Sequence, residues 1–392
     1  MSSPNLCYWT IAQTGMVVPK AEGMPGTTKT KSIEAFARAM GRRCYALIGS
    51  LREPADIGGY PYPVEVEPVM DPVSGKTVHA YMALMPPKWA MDTWDGGAGW
   101  IIFIDELTTC PAAVQAALLG VIAEKRVGDL VLPPDVWIVT ACNPAGVAAN
   151  GFELEPPMAN RLWHGKWEVD SEVWDQGMIG GLRFGEPSFP RLPAHWKNNL
   201  ARNGALFAAF RWANPNSFER YPEDRAKAGG AWPSPRSWTN ACISYTALEA
   251  IGAGEEHLRE AVQGCVGEEA RSEFFHWKNA LDLPDPEHLI SLAMEAKQNG
   301  APIDLPLPTG SDRIIAMMGA VTDRVLHHGH TQERWEAGMK ILYAVWHRER
   351  ELAMVCGPHL FTGFKAGWQG STRFMAEAHR LMQRAGMLPG GE

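Results

Sequence analysis

No apolar run in this 392-residue chain approaches the roughly 20 residues that a membrane-crossing helix needs. The amino terminus lacks a basic patch leading into a hydrophobic stretch, so no secretory leader is expected. Seven cysteines form no C-x-x-C pair, a pattern that argues against a disulfide framework and for the reduced, mostly buried thiols of a cytoplasmic protein. Internal repeats and low-complexity arrays are absent, which excludes solenoids. An excess of cationic charge is missing too. The net charge is −8, against a dominant, sequence-independent grip on nucleic acid, because that grip depends on Lys and Arg neutralising phosphates. Arg42-Arg43 and Lys125-Arg126 are too short to make a basic pore. What remains is an ordinary globular composition, 46% apolar and 20% charged, in a chain long enough for two or three domains. Tryptophans such as Trp89, Trp94, Trp163, Trp167 and Trp174 read as core and interface residues rather than base-stacking platforms.

The most informative residues are Gly23-Met24-Pro25-Gly26-Thr27-Thr28-Lys29-Thr30. They match the phosphate-binding loop G-x-x-x-x-G-K-[ST] except that Thr28 stands in place of the second glycine. Backbone N–H groups from Gly23, Pro25's neighbours, Gly26, Thr27 and Thr28 would cradle phosphates, Lys29 would reach the outer ones, and the Thr30 hydroxyl would face Mg2+. Ile33, Phe36, Ala37 and Met40 recur at helical spacing behind the loop, and Gly41 stops that helix. Thr28 is the flaw, because a β-branched residue reaches positive φ only at a cost, small if its backbone is near-helical.

Downstream, Trp100 and four apolar residues read as a strand buried on both faces, ending in Asp105 and Glu106. Ligands gather at the carboxyl ends of parallel strands. Asp105 would therefore hold the metal's water shell, and Glu106 would polarise an attacking water. A second continuous apolar strand, from Val136, ends at Asn143-Pro144, where the Asn143 amide would orient that water or touch the γ-phosphate. An Asn-Pro pair is also an ordinary turn signal.

In this order the motifs resemble the AAA+ ATPases, and within them the MoxR-like group, over about the first 250 residues. Further matches are Arg52 to Tyr60, the helix Pro111 to Lys125, Arg126 to Pro134, Pro157 to Leu162 and Pro233 to Trp238. The resemblance implies an α/β P-loop core, a parallel sheet flanked by helices, with a helical lid and a C-terminal helical extension. Boundaries are expected at 1–165, 166–300 and 301–392. It implies ATP and Mg2+ as cofactors, Asn143 as the sensor-1 residue, Arg161 as an arginine finger for a neighbouring subunit, and Arg236 as a sensor-2 arginine closing over its own chain's nucleotide. A lone Arg would otherwise read as a surface charge. The implied activity is ATP hydrolysis by a hexameric ring that remodels or activates a protein partner, such as one carrying a von Willebrand factor A domain. Two alternatives stand: a nucleotide-gated adaptor that turns over slowly or not at all, and a DNA-associated defence motor.

Val64 to Val69 and Thr77 to Leu84 read as an inserted hairpin, and Val127 to Leu132 as a shorter one. Such insertions resemble those with which MoxR-like rings contact substrate, and their mostly Val, Glu and Pro content disfavours DNA. A helix is expected from about Pro190 to Trp212, helices through Pro235 to Leu281, a proline-rich break at Gly300 to Gly310, and three amphipathic helices at Ser311 to His327, Thr331 to Val355 and Ser371 to Arg384. His327-His328-Gly329-His330 lacks flanking ligands at metal spacing and reads as a solvated turn.

Overall fold

The computed structural model describes residues 5–70, 73, 75, 77–95, 97, 99–144, 146–147, 151–181, 188–296, 303–365 and 368. The expected helix at 371–384 lies outside them. Two compact units divide the chain: residues 1–193 with 220–270, and residues 194–219 with 271–392.

The first unit opens with α1 (Leu6–Thr14), β1 (Val18–Glu22), α2 (Lys29–Ala39) and β2 (Arg43–Ile48). There follow α3 (Pro54–Gly58), a hairpin of β3 (Tyr60–Met70) and β4 (Thr77–Met85), α4 (Lys88–Asp92), β5 (Trp100–Asp105) and α5 (Ala112–Glu124). A small hairpin of β6 (Arg126–Val127) and β7 (Leu130–Val131) leads to β8 (Trp137–Cys142), α6 (Pro156–Ala159), β9 (Leu162–Lys166) and α7 (Ser171–Ile179).

Five strands form one sheet in the order β2-β5-β8-β1-β9, every pair parallel. The central strands β5 and β8 are apolar without alternation because both of their faces are covered. On one face α5 packs Val114, Leu118 and Val121 against Ile102, Ile104 and Ile138. Against the other, Trp9 of α1 meets Phe36 of α2 with ring centroids 4.9 Å apart. Both expected hairpins form, and the larger one extends further than its apolar runs suggested, from Tyr60 to Met85.

After α8 (Leu200–Ala213), which belongs to the second unit, the chain returns to the first with α9 (Arg225–Ala228), α10 (Pro235–Ala250) and α11 (Glu255–Val266). Ser234 caps α10 by accepting from the Ser237 N–H at 3.1 Å, with Pro235 at the first helical position. The compact units cross the expected boundaries at 165 and 300, because α10 and α11 pack on α1 and β9. The Trp163 indole donates to the Ala261 carbonyl at 3.1 Å, for example.

The second unit joins α8 to α12 (Glu268–Asn279), α13 (Pro286–Glu295), α14 (Ser311–His327), α15 (Gln332–Arg348) and α16 (Arg350–Phe361). The helix expected from Pro190 begins instead at Leu200, after a short 3-10 turn at Trp196–Asn199. The single helix expected over Thr331 to Val355 is two. Glu349, at φ −144° and ψ 79°, turns the chain so that α16 folds back on α15, and the buried Trp335 indole donates to the Leu360 carbonyl at 2.9 Å. Each large side chain buried in this unit contributes about 1.5–3 kcal/mol. At the turn after α14, His327 and His328 flank the buried Asp323 carboxylate at 3.1 and 3.6 Å.

On β9, His164 Nε2 donates to the Ala159 carbonyl at 2.8 Å, and burial together with the Lys20 charge pushes its pKa down to about 3. The ring stays neutral in the folded chain, whereas an unfolded histidine takes a proton near pH 6.5. Stability that is complete above that pH is therefore lost as pH falls towards 3, by about 1 kcal/mol at pH 5.5 from this residue alone. His164→Gln, whose amide nitrogen matches the reach of the imidazole Nε2, keeps a donor for Ala159 and removes the ionisation. Urea unfolding of this variant is expected to weaken less between pH 7.5 and 5.5 than that of the parent, and an unchanged slope would contradict the assignment.

Candidate functional site

β1 lies between β8 and the edge strand β9, and the loop Gly23 to Thr28 leaves from its carboxyl end. The Gly23 N–H donates to Cys142 O of β8 at 3.1 Å, and a Cβ at Gly23 would lie 2.7 Å from that of Trp167. Only glycine fits there. Trp167, one residue beyond β9, also donates from its indole to Thr27 O at 3.0 Å, so it holds the loop from outside. Gly26 has φ +80° with open space around it. Pro25 and Gly26 are exposed, and the Thr27 hydroxyl donates to Met24 O at 2.7 Å, closing the turn.

Thr28 sits in the left-handed region at φ 61°, ψ 17°, as the residue before α2, and its side chain makes no capping bond. The substitution for glycine therefore carries its full conformational cost, the near-helical backbone that would have reduced it being absent. Lys29 opens α2 almost fully buried, and its ammonium donates to Gly23 O at 2.7 Å, Met24 O at 2.9 Å and Asn143 Oδ1 at 3.0 Å. Burial lowers its pKa, and the Asp105 charge opposes that shift. The Thr30 hydroxyl donates to Asp105 Oδ2 at 2.9 Å, while Asp105 Oδ1 accepts the Glu106 N–H at 2.9 Å. Burial raises the Asp105 pKa, and those two hydrogen bonds pull it back.

Glu106 is the second non-glycine residue of the site with positive φ, at 59°. Its carboxylate accepts a hydrogen bond from the Ser50 hydroxyl. Thr108 donates to Asn143 O at 2.9 Å and fixes the end of β8. The structure thus brings Lys29, Thr30, Asp105, Glu106 and Asn143 together at the carboxyl edge of three adjacent strands. Ser50 and Thr108 carry no mark in the sequence, and Trp167 reads there only as a core or interface tryptophan. Ser50 had one signal, its place just beyond a strand that pairs Ile48 with Asp105.

Arg161 and Arg236 lie elsewhere. Arg161 precedes Leu162, which pairs with Val18 at the start of β1, so it stands at the amino-terminal edge of the sheet. The strand length puts about 13 Å between that edge and the end of β1. Arg161 donates to Pro157 O at 2.6 Å, and its pKa is lowered by burial and then by the Arg236 charge. Arg236 is exposed at the start of α10, whose cap residue Ser234 donates to Asn160 Oδ1 at 2.8 Å. The two guanidinium groups are thus neighbours, away from the loop of their own chain, and the expected closure of Arg236 over that loop is not the arrangement found.

The donor set at the strand ends fits a hard divalent cation and a phosphate chain. A hydroxyl and a carboxylate meet at Thr30 and Asp105, and a buried ammonium with exposed backbone stands beside them. Mg2+ bound there would neutralise phosphate charge. Strain at Thr28 gives a direct test of the loop. A residue held in the left-handed region costs about 1–2 kcal/mol, against about 0.5–1 kcal/mol for the added chain freedom of glycine. Thr28→Gly is expected to be stabilised in urea unfolding by about 0.5–1 kcal/mol net, with Thr28→Ser giving no gain. A loss of stability in Thr28→Gly would mean that the threonine side chain makes a contact that offsets the strain.

No relative among the curated proteins matches the chain. Residues 22–162 match the family model of the AAA domain (dynein-related subfamily), a segment that begins at the last residue of β1 and ends at the first of β9. Proteins with this domain generally bind and hydrolyse nucleoside triphosphates, usually with Mg2+, and commonly work as oligomeric rings. The five-stranded parallel sheet, the phosphate loop and the strand-end acids agree with that match, so residues 22–162 are similar to an AAA domain of the AAA+ ATPase kind.

Proposed function

We propose that this chain is an ATP-hydrolysing, MoxR-like ring ATPase of the cytoplasm, hexameric, that remodels or activates a protein partner, with a von Willebrand factor A domain protein as the first partner to try. The observation that carries this reading is the joining of loop and strand ends through Lys29 to Asn143 and Thr30 to Asp105. In this reading Glu106 takes a proton from the attacking water, Asn143 orients that water, and Lys29 steadies the outer phosphates.

The position of Arg161 and Arg236 supports action on a neighbour. Arg161 Nε is buried without a hydrogen-bond partner, and among the described residues Glu124 acts on this guanidinium through its charge alone. Two arginines near enough to repel one another, one of them with an unpartnered Nε, suit a phosphate contributed by another subunit. Both would then act across the interface.

The β3–β4 hairpin supports a polypeptide partner over DNA. Tyr60, Tyr62, Tyr81 and Met85 share one exposed face, and Glu65 and Glu67 add negative charge. Pro61 and Pro63 remove donors from the outer edge of β3, and the Asp129 carboxylate occupies the Leu84 N–H at 2.9 Å on the edge of β4. Contact through side chains on the face is favoured over strand addition.

The adaptor reading rests on Ser50. Its hydroxyl holds the Glu106 carboxylate and thereby restrains the base. If this restraint sets the rate, Ser50→Ala is expected to raise basal ATP turnover several-fold. A drop would mean that Ser50 positions Glu106 for catalysis.

Glu106→Gln is expected to lower Mg2+-dependent ATP turnover by roughly 10²–10⁴-fold while ATP stays bound. Unchanged turnover would remove Glu106 from the mechanism. Mixing Glu106→Gln subunits with Arg161→Ala subunits is expected to restore activity that neither has alone, and the same holds for Arg236→Ala. Failure of both mixtures to recover activity would contradict action across the interface.

A further inference from the structure

Thr28 occupies a glycine's conformation, and nothing in its own side chain holds it there, since that side chain makes no capping bond. A β-branched residue at positive φ persists only where its surroundings impose the conformation. The restraint must come from a neighbour.

Trp167 is placed to supply it. Its indole N–H donates to Thr27 O at 3.0 Å, the carbonyl of the same peptide whose other end is the Thr28 N–H. The carbonyl and N–H of a trans peptide point in opposite directions within one plane. With Thr27 O turned to Trp167, the Thr28 N–H is turned away from it. Rotating that peptide changes ψ of Thr27 and φ of Thr28 together, so Thr28 cannot leave the left-handed region by this route without breaking the indole bond. Among the described residues no acceptor takes the N–H of Gly26, Thr27 or Thr28, which leaves all three to a ligand.

The indole is itself fixed from several sides. The Trp167 N–H donates to Glu22 O at 2.7 Å, extending the pairing of β9 with β1 by one residue. Tyr8 and Trp9 pack perpendicular to its ring, with centroids 5.8 and 5.5 Å away. The backbone of the next residue, Glu168, exchanges two hydrogen bonds of 2.9 Å with the Asn5 side chain. A donor anchored in this way imposes its geometry on the exposed loop rather than following it.

We propose that Trp167 is a positioning residue of the nucleotide loop that stands in for the missing second glycine: by holding Thr27 O, it keeps the Thr28 N–H presented to a phosphate oxygen. This role rests on the nucleotide reading given above. Glycine at position 28 would need no such restraint, because it takes positive φ without steric cost. The tryptophan and the threonine therefore act as a pair, and removing one changes what the other is worth.

A double-mutant cycle on Mg2+-dependent ATP binding tests the pairing, with the intact chain, Trp167→Phe, Thr28→Gly and the double variant. Phenylalanine keeps an aromatic ring against Tyr8 and Trp9 and lacks the N–H. Trp167→Phe is expected to weaken ATP about tenfold in the Thr28 chain, and less than about threefold in the Thr28→Gly chain. Such a rescue by glycine is not expected if Trp167 only packs the fold. Thermal unfolding checks each variant, and if Trp167→Phe does not fold, 3-benzothienylalanine incorporated at position 167 keeps the bicyclic ring without the N–H and is expected to give the same two results. Unchanged affinity on loss of the N–H, or an equal loss in both backgrounds, would overturn the proposal while ATP binding by the intact chain upheld the nucleotide reading. No ATP binding by the intact chain would overturn that reading and this role with it.

Discussion

The buried ammonium of Lys29 is the interaction on which the nucleotide site depends. It is the first residue of α2, yet its side chain reaches back to two loop carbonyls and across to Asn143 at the end of β8. One cation therefore fixes the loop, the helix start and the end of β8 relative to one another. Hydrogen bonds to a charged donor are worth about 1.5–3 kcal/mol each, enough to hold an open loop against its own chain entropy. When phosphates enter, these carbonyls are the partners that the ammonium can exchange for stronger, negatively charged ones.

Around this anchor the chain accepts local strain. Thr28 and Glu106 both take the left-handed conformation, one on each side of the Thr30 to Asp105 contact. Such conformations persist only where surrounding structure imposes them. Cys142 holds the loop at Gly23 and Trp167 holds it at Thr27, and the pairing of β2 with β5 sets Glu106 beside Ser50. Rigid neighbours thus aim the two functional segments at the same point.

Much of this was legible in the sequence, for definite reasons. β5 and β8 are continuous apolar runs because they are central parallel strands, and the polar residues that end them mark the ligand edge of the sheet. The loop glycines could be read because Gly23 and Gly26 each meet a conformational or contact requirement. Ser50 was not legible, since its role depends on the lateral pairing of β2 with β5. Nor was the placement of Arg236. Its cap sequence predicted a helix start correctly, but only the hydrogen bond from Ser234 to Asn160 shows which end of the sheet that helix approaches. The break at Glu349 escaped because the apolar periodicity of α15 continues into α16 while the backbone turns. The division into units escaped for a related reason, as α8 joins helices that follow it by some sixty residues or more.

The central claim is that the Lys29 anchor belongs to a working nucleotide site. The most direct measurement is equilibrium binding of ATP to the intact chain and to Lys29→Ala, with and without Mg2+. The account expects one ATP per chain, tighter with Mg2+, and a loss of at least about tenfold in affinity when Lys29 is removed. ATP that does not bind the intact chain, or that binds Lys29→Ala equally well, would contradict it.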